Sequence, residues 1–241
     1  MIAHVGAGIG GAIPGFCQPV SSLSHLLAAA AALVAAIPLI RLGRGRRAPV
    51  SALVVYIFCV VAVLLVSGTY HSLDRGCAAR QMMQRVDYYA IWLLIAGTFT
   101  AVHGIMCRGF WRQGILVFVW VYAAMGIALQ VFWFRIFSGV PGLVLYLGLG
   151  WVGLGSVIKL GRQIGFRAVR PIWLAGLFFS VGAVLEAIRQ PVIIRDWVGP
   201  HEIFHLAVIA GVLIHWQFIR TLLIKHVPCE IAVVSVGLPP P

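Results

Sequence analysis

Gly199-Pro200-His201-Glu202-Ile203-Phe204-His205 opens onto residues 206–224, an almost unbroken apolar run. A spanning helix needs roughly 20 mostly apolar residues, and 201–224 supplies them. Two histidines four apart lie only about 40 degrees apart around a helix axis, so both imidazoles can reach one ion at the polar mouth of that helix. A lone histidine at such a depth more often bonds a carbonyl of a neighbouring helix. The pair therefore has to be read together with what other spans bring to the same level.

Working outward, the solvent of the whole chain is lipid. Of 241 residues, 61% are hydrophobic and only 10% charged, and mean hydropathy is +1.01, values outside the range of ordinary soluble domains. Six further stretches match the first in length and character, giving spans at 21–40, 49–70, 86–107, 114–133, 142–158, 171–188 and 201–224. The expected fold is all-α: a polytopic bundle of seven transmembrane helices over 21–224, with a flexible N-terminal tail over 1–20 and a C-terminal tail over 225–241. The Gly/Pro-rich start holds no lysine or arginine, so it lacks the charged region of a signal peptide. No inverted repeat or matched pair of broken helices points to a transporter. Cys17, Cys59, Cys77, Cys107 and Cys229 are scattered singly, which suits packing rather than a disulfide framework or thiolate site.

Seven-fold alternation also sorts the charges. Arg41, Arg44, Arg46, Arg47, Arg108, Arg112, Lys159, Arg162, Arg167, Arg170, Arg220 and Lys225 fall on one side, and the other six of the 18 basic residues on the opposite side. The net charge of +12 thus reads as a topology and headgroup signal, not a nucleic-acid surface. By the positive-inside rule the N-terminus lies outside the cytoplasm.

The end of span two and the starts of spans three and seven meet on the N-terminal side. Span two ends Ser67-Gly68-Thr69-Tyr70-His71, with Ser67 and His71 on one face, and span three opens Arg85-Val86-Asp87. Ser67, His71, Asp87, His201 and His205 therefore converge at one depth from three helices. Ionisable groups in a bilayer are costly, about 2.5 to 3.5 kcal/mol for an aspartate at a helix centre, and mark function. Three imidazoles leave a fourth tetrahedral position for water, the arrangement of a catalytic zinc site. Zinc lowers the pKa of that water to about 7. Asp87 could then hold the water and shuttle its proton, and Ser67 could donate to the water or to a developing oxyanion.

These motifs, Ser67-x-x-x-His71, Asp87 and His201-x-x-x-His205 on the second, third and seventh spans, resemble the hemolysin III and progestin/adipoQ receptor (PAQR) family. Gln18-Pro19-Val20-Ser21-Ser22-Leu23-Ser24-His25 is similar to that family's approach to its first helix, which usually begins with glutamate. Gln18 departs from it, and is expected to lie outside the metal constellation. The resemblance implies Zn2+ held by His71, His201 and His205, with Asp87 reaching it directly or through water and Ser67 behind. It also implies, through alkaline ceramidases in the wider superfamily, hydrolysis of a lipid amide or ester in a bacterial inner membrane. Receptor members of the family imply a cytoplasmic N-terminus, opposite to the charge count.

Two rivals stand beside the hydrolase. His201-Glu202-Ile203-Phe204-His205 also fits H-E-x-x-H, in which the glutamate is a metalloprotease's general base. Against that, Val208 stands where the metzincin extension requires glycine, the usual later third ligand is missing, and Glu202 sits about 100 degrees round the helix from His201. The other rival is a receptor in which Asp87 closes a structural zinc site. Of the remaining polar residues, His25 is expected to bond a neighbouring helix or stand behind a ligand, and Glu186 to form a local pair with Arg189. His103 and His215 lie too deep to reach the metal. Tyr88, Tyr89, Trp133 and Trp197 are read as interfacial belt residues.

Overall fold

The computed structural model describes residues 16–44, 50–195 and 197–226. Most of the expected N-terminal tail, up to residue 15, and of the expected C-terminal tail, from 227, lies outside the described residues. In hydrocarbon every backbone N–H and C=O has to be satisfied within its own segment, so apolar runs of this length become helices. The described residues form α1 (Pro19–Arg44), α2 (Val50–Ser72), α3 (Ala78–Met106), α4 (Phe110–Phe132), the single-turn α5 (Phe134–Phe137), α6 (Val140–Trp151), α7 (Gly153–Ile164), α8 (Phe166–Ile188) and α9 (Pro200–His226). Seven units are long and apolar enough to cross a membrane, with α6 and α7 together making the fifth. No strand occurs among the described residues.

Several helices extend past the apolar stretches that hydropathy marks, by most at the start of α3 and the end of the fifth span. Helix α3 starts at Ala78 rather than Val86, because Ala78–Arg85 is polar yet helical and hydropathy registers only the apolar part. Cys77 caps it, its sulfur accepting from the Arg80 backbone N–H, and Asp87 consequently sits in the helix's third turn. The fifth span runs from Val140 to Ile164, with a one-residue irregularity at Val152, whose backbone stays right-handed helical and whose N–H still donates to the Gly148 carbonyl at 3.2 Å. The irregularity falls in Gly148-Leu149-Gly150-Trp151-Val152-Gly153-Leu154-Gly155, where glycine's low helix propensity weakens the regular hydrogen-bond pattern.

Neighbours in sequence pack as neighbours in space, and the ring closes where α9 returns to α1. Small residues allow the close approaches on which helix association in lipid depends. A methyl group at Gly68 would fall 2.7 Å from Leu26, at Gly97 2.7 Å from Cys59, and at Gly126 2.3 Å from the Trp92 indole. One cluster, including Leu53, Tyr56, Val60, Leu64, Trp216 and Ile219, joins α2 to α9 and α1. A second, around Trp92, Val119, Tyr146 and Leu149, ties α3 to α4 and α6. Gln130 locks that second cluster, accepting from Trp92 Nε1 at 3.0 Å and donating to the Phe137 carbonyl at 3.0 Å. The backbone N–H groups of Cys17 and Gln18 donate to the carbonyls of Ser72 and His71, pinning the approach to α1 against the end of α2.

Candidate metal centre

The start of α9 is built to hold its turn. Pro200 occupies the first helical position, where its missing N–H costs nothing, and Glu202 reaches back so that its Oε2 accepts from the Gly199 N–H at 3.0 Å. This is half of a capping box. The other carboxylate oxygen accepts from Ser21 Oγ at 3.4 Å, across to α1. Glu202 is thus spent on the helix terminus and on α1, and His201 and His205 occupy a different face.

That face meets the end of α2. His71 and His205 are almost fully buried, at 1% and 4% exposure, and His201 is half-buried. One ring nitrogen from each of the three lies within 4.8 Å of the others. Ring centroids are 4.9 Å apart for His71–His201, and 4.5 Å for both His71–His205 and His201–His205. The Nε2 atoms of His201 and His205 are 3.0 Å apart. A tetrahedral ion bound at about 2.0 Å sets two nitrogens roughly 3.3 Å apart, so the cluster has the right scale for one small cation.

The outer ring nitrogens decide what the inner ones can do. His71 Nδ1 is 2.8 Å from Gln18 Oε1, an acceptor, so its proton sits on Nδ1 and Nε2 carries a lone pair. Arg80 clamps the same Gln18 oxygen through Nη2 and the Leu73 carbonyl through Nη1, and its guanidinium stacks 4.7 Å above the Tyr70 ring. His201 Nδ1 lies 3.4 Å from Glu186 Oε1, which Arg189 contacts at 3.3 Å. His205 Nδ1 lies 2.9 Å from His25 Nε2. Each ring is therefore held from behind by a different residue, the arrangement that fixes tautomer and orientation in metal-binding histidines. His71 Nε2 is sealed from solvent with no hydrogen-bond partner among the described residues. A metal ion would give this buried lone pair and the two further imidazole nitrogens one common partner.

Ser67, one turn before His71, is buried, and its hydroxyl faces the Asp87 carboxylate from α3. Asp87 stands outside the tight histidine group. Ser67, Asp87 and His205 line one end of an elongated cavity of about 200 Å³ whose walls are otherwise mostly apolar, with His103, Ser156 and His215 also on its lining. Asp87 and His103 are sixteen residues apart on α3, about 24 Å at 1.5 Å per residue. The cavity thus runs most of the way through the bundle.

All five residues singled out in the sequence are at this end of the molecule. Of three residues that hold them, two depart from the expectation and one follows a reading already given for it. Gln18 is not outside the constellation but carries His71; Glu186 pairs with His201 as well as Arg189; His25, for which a supporting role was one of two readings, takes it. Their shared signal was depth: each is a polar residue on the side where the spans converge, and the backbone bond from Gln18 to His71 brings the first into range.

The comparisons bear on the same region. The model of the family described as "Haemolysin-III related" matches residues 18–216, a stretch that begins at the residue behind His71 and takes in every site residue. The chain is 28% identical to "Hemolysin-3" of Bacillus cereus over 167 residues, covering 69% of this chain and 73% of that protein. It is 29% identical to "Heptahelical transmembrane protein 5" of Arabidopsis thaliana over 189 residues, 67% of this chain and 46% of the relative. It is 26% identical to "Adiponectin receptor protein" of Drosophila melanogaster over 184 residues, 65% and 38% respectively. The match extends over less than half of both eukaryotic relatives.

Proposed function

The chain belongs to the haemolysin-III related family of seven-helix membrane proteins, and on that footing we propose that it is a zinc-dependent hydrolase of a membrane lipid, cleaving a ceramide-like amide or an ester. The observation that carries this reading is the sealed, unpartnered Nε2 of His71, grouped with ring nitrogens of His201 and His205, the last of which lines one end of a long, mostly apolar cavity. His71, His201 and His205 would hold the ion. Zinc, when bound there, supplies a Lewis acid and makes water a nucleophile near neutral pH.

The remaining chemistry falls to side chains of this chain. The cavity takes the acyl chain and excludes bulk water, leaving the carbonyl carbon of the lipid at the polar mouth. Asp87 accepts the proton of the attacking water and returns it to the departing amine or alcohol as the C–N or C–O bond breaks, giving a fatty acid and an amine or alcohol. Ser67 holds the Asp87 carboxylate in orientation through its hydroxyl. Glu202 has no part in proton transfer, because its two oxygens are engaged by Gly199 and Ser21; that favours the lipid hydrolase over the H-E-x-x-H protease.

The test is metal analysis of the purified protein beside lipidomics of amide and ester hydrolysis. The proposal expects one zinc per chain and turnover of at least one N-acyl or O-acyl lipid. Stoichiometric zinc with no turnover of any such lipid by the folded protein would instead assign a structural or receptor role, with Asp87 moving in to complete the coordination.

A further inference from the structure

The cavity has polar wall atoms far from the metal centre, and they differ in how well they are satisfied. His103 Nδ1 lies 3.0 Å from the Phe99 carbonyl, so that nitrogen donates and Nε2 accepts. Ser156 Oγ is 2.9 Å from that Nε2 and donates to it. This pair completes itself within the protein. His215 does not. Its Nδ1 is 3.3 Å from the hydroxyl of Tyr56, a residue with 0% exposure. The Tyr56 O–H has no other partner among the described residues and so donates to Nδ1. A ring that accepts at Nδ1 carries its proton on Nε2. That N–H has no partner among the described residues, and the His215 side chain keeps a residual 4% exposure. His215 is itself on the cavity lining. The result is an oriented donor, unpartnered among the described residues, in a tunnel wall that is mostly apolar.

A donor of this kind costs free energy unless something in the tunnel accepts from it. We propose that His215 recognises an oxygen atom part-way along the acyl chain of the ligand, a mid-chain hydroxyl or keto oxygen that accepts from Nε2–H. The proposal rests on the reading of the cavity as an acyl-chain site and adds the class of chain it selects. Its position follows from the helix. His215 is ten residues beyond His205, about 15 Å along α9. A fully extended chain advances about 1.2 Å per bond, since a three-bond residue spans 3.3 to 3.6 Å. The recognised oxygen therefore sits about twelve bonds from the end held at the metal centre.

The experiment is competition between octadecanoic acid and its 12-hydroxy derivative for purified zinc-loaded protein, read by native mass spectrometry, with 6-hydroxyoctadecanoic acid as the positional control. In the wild type the 12-hydroxy chain should be favoured about fivefold, the ratio given by a net hydrogen bond of about 1 kcal/mol. The 6-hydroxy chain should gain nothing. His215→Phe, which keeps a ring and loses the donor, should bind octadecanoic acid as the wild type does and show a ratio near one. Equal binding of the two chains by wild-type protein overturns the proposal, as does a preference that survives in His215→Phe. Should that variant fail to fold, the 12- against 6-hydroxy comparison in the wild type decides alone. Failure of every chain to bind would remove the acyl-cavity reading and this proposal together, whereas plain octadecanoic acid bound without preference removes only this one.

Discussion

Replacing Gln18 by alanine removes the acceptor that the buried His71 Nδ1–H has among the described residues, at 2.8 Å, together with the anchor of Arg80 Nη2. The effect on metal binding comes from an asymmetry between the two states. Without metal, His71 can move its proton to Nε2 and bond elsewhere in the cluster; with metal on Nε2 the proton must stay on Nδ1, where the variant offers it nothing. Leaving a buried donor unsatisfied costs about 1 to 3 kcal/mol, or about 5- to 150-fold in affinity. Loss of a partner behind a metal-binding histidine typically costs 10- to 100-fold. Both routes lead to a drop of between one and two orders of magnitude. Chelator-competition titration of zinc against purified protein measures it directly. Gln18→Glu should hold affinity at or above the wild type, because a carboxylate accepts from both His71 and Arg80 and strengthens each bond. A folded Gln18→Ala protein whose zinc affinity stays within about twofold of wild type would refute the reasoning, and would show that His71 is oriented by its backbone alone.

Four further outcomes follow from the same geometry. Alanine at any one of His71, His201 and His205 should sharply lower zinc stoichiometry measured by elemental analysis; full metal content in all three variants would place the site elsewhere. Asp87→Asn should retain most of its zinc and lose turnover by about 10²- to 10⁴-fold, while Glu202→Ala should lose about 1 kcal/mol of thermal stability through its cap and keep turnover; the reverse pattern revives the protease. Gly126→Ala should cost about 1 to 3 kcal/mol, read as a lowered melting temperature in detergent, since its methyl would meet Trp92 at 2.3 Å. Single cysteines at Ser138 and Arg108 in a cysteine-free background should react with an impermeant reagent from outside and inside the cell respectively, as the twelve-to-six partition of basic residues demands; labelling in the opposite sense reverses the orientation.

How far the fold was legible follows from which signals are one-dimensional. Lipid as solvent makes span number a matter of counting apolar runs, and all seven appear where hydropathy places them. Hydropathy is silent where a helix leaves the apolar band, which is why the start of α3 was eight residues late. It is equally silent about an irregularity inside an apolar run, such as the one at Val152 among its glycines, which only backbone propensity marks.

The histidine cluster was legible for a related reason. An i, i+4 pair fixes two side chains on one face, and alternation of spans fixes their depth, so His71, His201 and His205 could be brought together without coordinates. Azimuth is what neither argument provides. Whether Glu186 on α8 faces Arg189 only, or also His201 at 3.4 Å, depends on how α8 is rotated against α9. That rotation is set by contacts such as Gly182, where a methyl would lie 2.6 Å from Ala207. Gln18 shows the same limit from outside a helix, since it precedes α1 and reaches His71 because two backbone bonds fold it onto the end of α2. The residues that bind an ion carry their pattern along the chain, whereas those that aim the ligands are selected by the surface each helix turns to its neighbour. A histidine cluster read from sequence is therefore best completed by asking which polar residue at the same depth can reach each ring's other nitrogen, and here that question leads to Gln18, Glu186 and His25.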